Sequence, residues 1–468
     1  MRTKFLTLLL GMVSVLAMAD TQDTLSGYCG RKINVNADST NLQWSLDLNT
    51  HTLTITGSGA MKDYDNDTKA PWYSQRNEIH TVTFPDGMTT VGNYAMYQHS
   101  NLATINWGGN TVITIGNYAF YSCQSLPNLI LPTSVQQIGG NAFMYCYGLQ
   151  SVKMGNQVER ISYQAFYNCN SITEVDLGES PAKIDGYAFS NNSALVILKI
   201  DKVISINNEA FAYCGELKSL HFPATMTYLS GSSFRYCSGL DSITVDSDNT
   251  VYDSRDSCNA VIRTADNAIV LGCCKTVIPN DIKSIDDYAF CGCNRLTSIV
   301  LPDSLLSIGS YAFESCSQLS SVNFPESIEN VRCGAFRYCN SLTTPVCNST
   351  CFVYMPSSYE GNYSLPETTK QIACEAFYDC NKVTSIVIPS SVSGIGSSAF
   401  YNCSSLTQIT LPERLKEINS NLFYGCRALS SIAIPDSVSR IDSYAFENCR
   451  SITNISFPTN LTYIGVMY

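Results

Sequence analysis

A unit of about 23 residues recurs through most of this 468-residue chain. In its fullest form it reads A-F-x-x-C-x-x-L-x-x-I-x-L-P-x-S-V-x-x-I-x-x-x, and then A-F again. The anchor aromatics are Phe120, Phe143, Phe166, Phe189, Phe211, Phe234, Phe290, Phe313, Phe336, Phe377, Phe400, Phe423 and Phe446, with Met96 as a degenerate first member. Nearly every interval is 22–24 residues. A sustained period of this length specifies a solenoid. No single coil can bury its own apolar face, whereas stacked coils share a core that lengthens without a second domain.

Within the unit, L-x-x-I-x-L-P predicts a short strand. Alternation sends Leu126, Leu129 and Leu131 inward in one coil, and Leu406, Ile409 and Leu411 in another. The next residue, Pro132, Pro302 or Pro412, lacks a ladder donor and ends the strand. A second extended stretch follows, as at Ser134-Val135 and Ile138. The Ala-Phe-x-x-Cys segment is expected to form a helical turn. The residue between the last two inward positions faces out; this set contains Asn106, Lys153, Asp176, Lys199, His221, Thr244, Asn323, Thr410 and Ser456. These residues vary while the inward ones do not. Lys153, Asp176, Lys199, His221 and Thr244 are therefore the candidate ligand-binding residues. A Tyr stripe two residues before Phe (Tyr118, Tyr187, Tyr288, Tyr311, Tyr444) reads as outer packing.

Two intervals break the period: 56 residues from Phe234 to Phe290, and 41 from Phe336 to Phe377. Both return to register, because Ile278-Pro279 and Leu365-Pro366 precede their Phe as Leu131-Pro132 precedes Phe143. The expectation is enlarged or degenerate coils near 246–279 and 346–366. The first contains a hairpin pattern, with Ala260–Arg263 and Ala268–Leu271 flanking Ala265-Asp266-Asn267.

Residues 1–19 read as a cleaved signal peptide, with Arg2 and Lys4, an apolar run Phe5–Leu16, and the small-x-small site Ala17-Met18-Ala19. Residues 20–88 do not follow the repeat. Their alternation at Thr52–Thr56 and their glycines predict antiparallel strands that cap the first coil; a carbohydrate-binding module on Trp44 and Trp72 is the alternative. The solenoid runs over 89–468. It stops at Tyr468 before another Ala-Phe, with no visible anchor or polar closing coil, which leaves either a shielding neighbour chain or a truncated product. No later apolar run is long enough to span a membrane.

Twelve of the 21 cysteines share the position three after Phe. In-register side chains point the same way and suit a disulfide torsion poorly, so this column is expected to be a ladder of buried thiols. Cys333 and Cys374 both stand three before Phe, at a turn position of an exported chain, and form the leading disulfide candidate. Cys258 with Cys273 or Cys274 is a candidate staple for the hairpin, and Cys347 with Cys351 a local pair. Metal-ligand spacing is absent, as are H-E-x-x-H, G-x-S-x-G and phosphate-loop motifs. The sequence therefore calls for no metal or cofactor and reads as non-enzymatic. A formal charge of −11 without a basic cluster argues against nucleic acid.

The repeat resembles the BspA-like leucine-rich repeats of bacterial and protist surface proteins, over about residues 89–468. The Gly57–Met61 and Pro71-Trp72-Tyr73 region is similar to the module that often precedes such repeats. The resemblance implies a right-handed leucine-rich-repeat solenoid with a small all-β N-terminal cap, in a surface-exposed protein that binds host matrix proteins, partner cells or other macromolecules. The expected function is adhesion or interaction with an extracellular or host protein or glycan, with self-association into a surface or matrix assembly as the alternative.

Overall fold

A computed structural model describes residues 24–31 and 40–466 of the chain. The signal-peptide segment 1–19 lies outside the described residues. The described residues form a parallel-strand β-solenoid of about 17 turns. Each coil adds one rung to each of two ladders. The first ladder takes the L-x-x-I-x-L segments: Asn128–Ile130, Ser151–Lys153, Glu174–Asp176 and Ile197–Lys199 pair in parallel and in register. The second takes the short stretches, so that Gln137-Ile138 pairs with Arg160-Ile161, and that pair with Lys183-Ile184. The constant apolar centre of each rung, such as Val152, Val175, Ile138 and Ile161, is buried. Pairing like with like follows from the period, since one coil places each residue over its equivalent in the next.

The third side of each coil is the Ala-Phe segment, and it is not helical. Left-handed residues stand two before and two after the anchor, for example Asn141 (φ 57°) and Tyr145 (φ 63°) around Phe143. They stop any helix from propagating. The freed amides bond between coils instead: Phe143 N donates to Ala165 O at 2.7 Å, and Phe166 N to Ala188 O at 2.7 Å. Inside this layer the anchor rings stack from coil to coil within the regular runs, with centroids 5.0 Å apart from Phe120 to Phe143 and 4.9 Å apart from Phe166 to Phe189. Outside it the tyrosines stack on each other, as Tyr94 on Tyr118 at 4.7 Å and Tyr401 on Tyr424 at 4.5 Å.

The thiol column has a specific job. Each of the twelve cysteines points its Sγ at the carbonyl of the anchor residue one coil back, at distances such as 3.0 Å (Cys169 to Phe143 O) and 3.2 Å (Cys426 to Phe400 O). Where Asn192 replaces Cys, its Nδ2 donates to the equivalent Phe166 O at 3.1 Å. The position selects a small buried donor, which thiol and amide both supply.

The same contacts show what the two long intervals contain. Cys293 addresses Gly272 O and Cys380 addresses Met355 O, while Gly272 N and Met355 N donate to Ala289 O and Ala376 O as the anchor Phe amides do. Gly272 and Met355 are therefore anchor positions without a Phe, and each long interval holds two turns. Gly272 is required because a Cβ there would run into the ring of Phe290. In the first interval Tyr252-Asp253, Ala260–Arg263 and Ala268–Gly272 form an antiparallel meander whose last strand joins the second ladder through Ser284-Ile285. Arg263, bonded to Asp266 and to Asp286 at 2.8 Å, ties the meander to the next coil. In the second, Val346-Cys347 folds back on Cys351–Tyr354 before the ladder resumes at Gln371-Ile372. Buried apolar clusters divide at these two places and nowhere else among the described residues.

The N-terminal cap is an antiparallel meander, Thr24–Tyr28, Leu42–Asp47 and Thr52–Gly57, whose last strand pairs in parallel with Thr81–Thr83. Trp44 and Trp72 lie in the core it shares with the first coils, edge to face at 5.8 Å, and Trp72 Nε1 donates to Ala95 O. The rings close the open end of the solenoid and present no platform for a sugar.

Candidate functional site

The first ladder presents two outward columns. Register places Lys153, Asp176 and Lys199 on adjacent rungs, and His221 beside Thr244. Lys199 Nζ lies 2.8 Å from Glu174 Oε1 and 3.7 Å from Asp176 Oδ2, and the Glu174 hydrogen bond raises its pKa. His221 Nδ1 is 3.0 Å from Thr244 Oγ1. The five residues thus lie in two groups along the ladder, with Lys199 bonded laterally to Asp176 and His221 to Thr244. At solvent exposure such pairs contribute little to stability.

Sequence reasoning missed the second column, which includes Ser151, Glu174 and Ile197, two residues earlier on each strand. Strand alternation alone could have found it. It also missed the apolar members of the first column. Immediately before the Leu-Pro or Ile-Pro step, four coils carry Ile130, Val277, Val300 and Val387, which are 67%, 72%, 74% and 55% exposed. They are four of the five most exposed large apolar side chains among the described residues. β-Branched residues favour strands, yet the neighbouring coils place Lys, Asp, Thr or Ser at the same position, so a strand does not need them there.

Cys333 and Cys374 are bonded to each other, with Cα atoms 4.7 Å apart. The intervening Met355 turn is short on this side: Phe352 pairs with Ile372, but three residues lead from Phe352 to its anchor against five from Ile372 to Phe377. The coils on either side therefore meet. Gly334, at φ 63°, leaves the room in which Tyr311 Oη donates to Glu375 Oε1 across it. The hairpin staple does not form. Cys258 and Cys273 are both free and buried, because Ala260 pairs with Gly272 and thus sets Cys258 opposite 274, one residue out of step with Cys273. Cys274 is also free and turns to Leu240 O and Asp241 instead. Cys347 and Cys351 remain thiols as well, with Cys347 paired to Phe352 across a bulge.

Among the described residues no helix is long and apolar enough to cross a membrane, and no group of three or more His, Cys, Asp or Glu is placed to hold a metal ion.

Comparison with known proteins agrees with this architecture. The family described as BspA type leucine rich repeat region matches in six copies, over 71–170, 136–258, 272–369 and 370–467. No curated protein matches. Among solved structures, a leucine rich cell surface protein from Faecalibacterium prausnitzii is 26% identical, with a TM-score of 0.52 over 80% of this chain and 93% of that one. A leucine-rich repeat protein from Eubacterium ventriosum is 19% identical, with a TM-score of 0.42 over 94% and 93%. The pneumococcal vaccine antigen PcpA is 16% identical, with a TM-score of 0.42 over 94% and 99%. With its two ladders and the family model's matches between residues 71 and 467, the chain belongs to the BspA-type leucine-rich-repeat family.

Proposed function

We propose that this is an exported, non-catalytic binding protein that holds an extracellular protein, as in adhesion, on the outward face of its first ladder. The observation that carries the reading is the column of exposed Ile130, Val277, Val300 and Val387. Contiguous exposed apolar surface is a feature of interaction sites, and Val277 and Val300 supply it on consecutive coils. The charged rungs Lys153, Glu174, Asp176 and Lys199 lie between the first and second of them and would set register and partner choice rather than affinity. A rigid ladder loses little conformational freedom on binding, which favours a broad, flat contact. The cell-surface description of the Faecalibacterium relative supports an extracellular setting.

The test is capture of purified extracellular matrix proteins and mucin by the immobilised mature chain. Binding is expected to fall at least about tenfold in a Val300→Asp/Val387→Asp double variant, about 1.4 kcal/mol or more, with an unchanged melting curve. Charge reversal at Lys153 and Lys199 is expected to slow association and alter its salt dependence. Capture of none of these ligands, or binding indifferent to both sets of variants, refutes the reading.

A further inference from the structure

From Gly87 to Val152 the chain carries no Asp, Glu, Lys or Arg. At its average of 14% charged residues, a stretch of that length would hold about nine. On the anchor side the neutral run extends further, because 161–173 and 186–198 carry none either. Lys153 belongs to the first ladder, and Glu159 and Arg160 to the second. The anchor sides of five successive coils, those of Met96, Phe120, Phe143, Phe166 and Phe189, are thus uncharged over about 20 Å, at about 4.8 Å per coil. The fold does not require this. Later coils place Arg235, Glu314, Arg337 and Asp379 one or two residues after their Phe.

Tyrosine fills the neutral face. Tyr97 stacks on Tyr121 at 4.9 Å, and Tyr94 on Tyr118 at 4.7 Å. Tyr121 meets Tyr145 edge to face at 5.5 Å, and Tyr145 meets Tyr147 at 5.8 Å and Tyr167 at 6.2 Å. None of these rings is buried, and Tyr147 is the most exposed of them, at 38%. Gln98, Ser122, Asn141 and Asn168 stand among them. Charge resumes at the margins. At the cap end Lys69 Nζ lies 4.9 Å from the centre of the Tyr97 ring, and at the other end Tyr187 Oη donates to Glu209 Oε1.

Depletion of charge with enrichment of Tyr is the composition of interface cores, and Tyr with Ser and Asn that of antibody paratopes. The net charge selects the occupant. Two copies of a chain of formal charge −11 repel each other, and the repulsion is least where neither presents a charge. Hydroxyl and carboxamide groups both donate and accept hydrogen bonds, so two identical neutral faces can satisfy one another, as two identical charged faces cannot. We propose that the tyrosine face is the contact between two copies of this chain, related by a two-fold axis and separate from the strand face.

Sedimentation equilibrium of the full mature chain tests this. A dimer is expected with Kd between about 1 and 100 µM. It should tighten as NaCl rises from about 50 to about 500 mM, because salt screens the repulsion between acidic copies and has no ion pair at the contact to weaken. Tyr121→Asp, at the centre of the ring network, and Tyr147→Asp, on its most exposed ring, should each raise Kd at least about tenfold with an unchanged melting curve, since each traps an unpaired carboxylate between the copies. Val300→Asp/Val387→Asp should leave the dimer unchanged. A monomer at every concentration, a dimer that loosens with salt, or one indifferent to both tyrosine variants overturns the proposal. So does a dimer lost in the strand-face variant, and so does a monomer whose capture of a matrix protein is abolished by Tyr121→Asp, which would give the face to that partner.

Discussion

Removing the Cys333–Cys374 bond should loosen one segment of the solenoid selectively. The bond closes a loop of 41 residues. Loop-closure entropy for that length gives about 4 kcal/mol of stabilisation, under the chain-entropy account. The enclosed segment is where the apolar core divides: the cluster that ends at Val353 and Tyr354 gives way to the one that starts at Phe352 and Met355. In a repeat protein each coil is held by its neighbours, so a weak junction opens locally before the chain unfolds. Paired Cys333→Ser and Cys374→Ser substitutions should therefore raise amide hydrogen exchange in the ladder strands Cys351–Tyr354 and Gln371-Ile372, by up to about a thousandfold for openings that release the loop. Exchange at Gln137-Ile138 and Arg160-Ile161, far along the second ladder, should not change. A rise of less than about tenfold within the loop, or an equal rise in both regions, refutes the view that the bond clasps this junction.

Four further outcomes are expected. Thiol titration of the denatured, unreduced chain should count 19 free cysteines; a lower count would mean that part of the column is oxidised. His99 occupies the thiol position of its coil and is fully buried, and desolvation lowers its pKa from 6.5 to about 4. The unfolded chain then binds a proton that the native chain refuses, so stability is complete above pH 6.5 and lost as pH falls toward 4, by about 3 kcal/mol; chemical denaturation of His99→Cys between pH 7 and pH 4 should lack this component. Phe166→Ala removes a ring stacked between Phe143 and Phe189 and should cost about 3–5 kcal/mol in urea unfolding. Gly272→Ala forces a methyl group into Phe290 and should cost about 1–3 kcal/mol, read as earlier melting of the coils around the first long interval.

The repeat made much of the site legible. Because its period sets each residue over its equivalent, the repeat alone assigns Lys153, Asp176 and Lys199 to one face. The same logic failed where it was applied too narrowly. One outward position per strand was followed when alternation supplies two, so Glu174 and Ile197 were overlooked. Ile130 and Val300 were passed over because apolar residues in a strand read as core until their exposure is known. The hairpin staple failed because pairing Cys258 with Cys273 depends on a one-residue register, and the bulge between Val261 and Ile262 shows how little the local sequence fixes it.

The sequence by itself determined the solenoid, its coil length, its inward and outward residues and the reduced state expected of its cysteine column, because each of these is a local pattern repeated until chance is excluded. Only the tertiary structure decided what happens where the pattern lapses. It showed that Gly272 and Met355 stand in for absent Phe anchors, since that identity lies in inter-coil hydrogen bonds and not in side-chain type. It replaced the expected helical turn with left-handed residues bonded between coils, because a helix needs bonds within the segment and stacking supplies better ones across it. It also joined Cys333 to Cys374, a juxtaposition set by how the shortened Met355 turn packs between two regular coils.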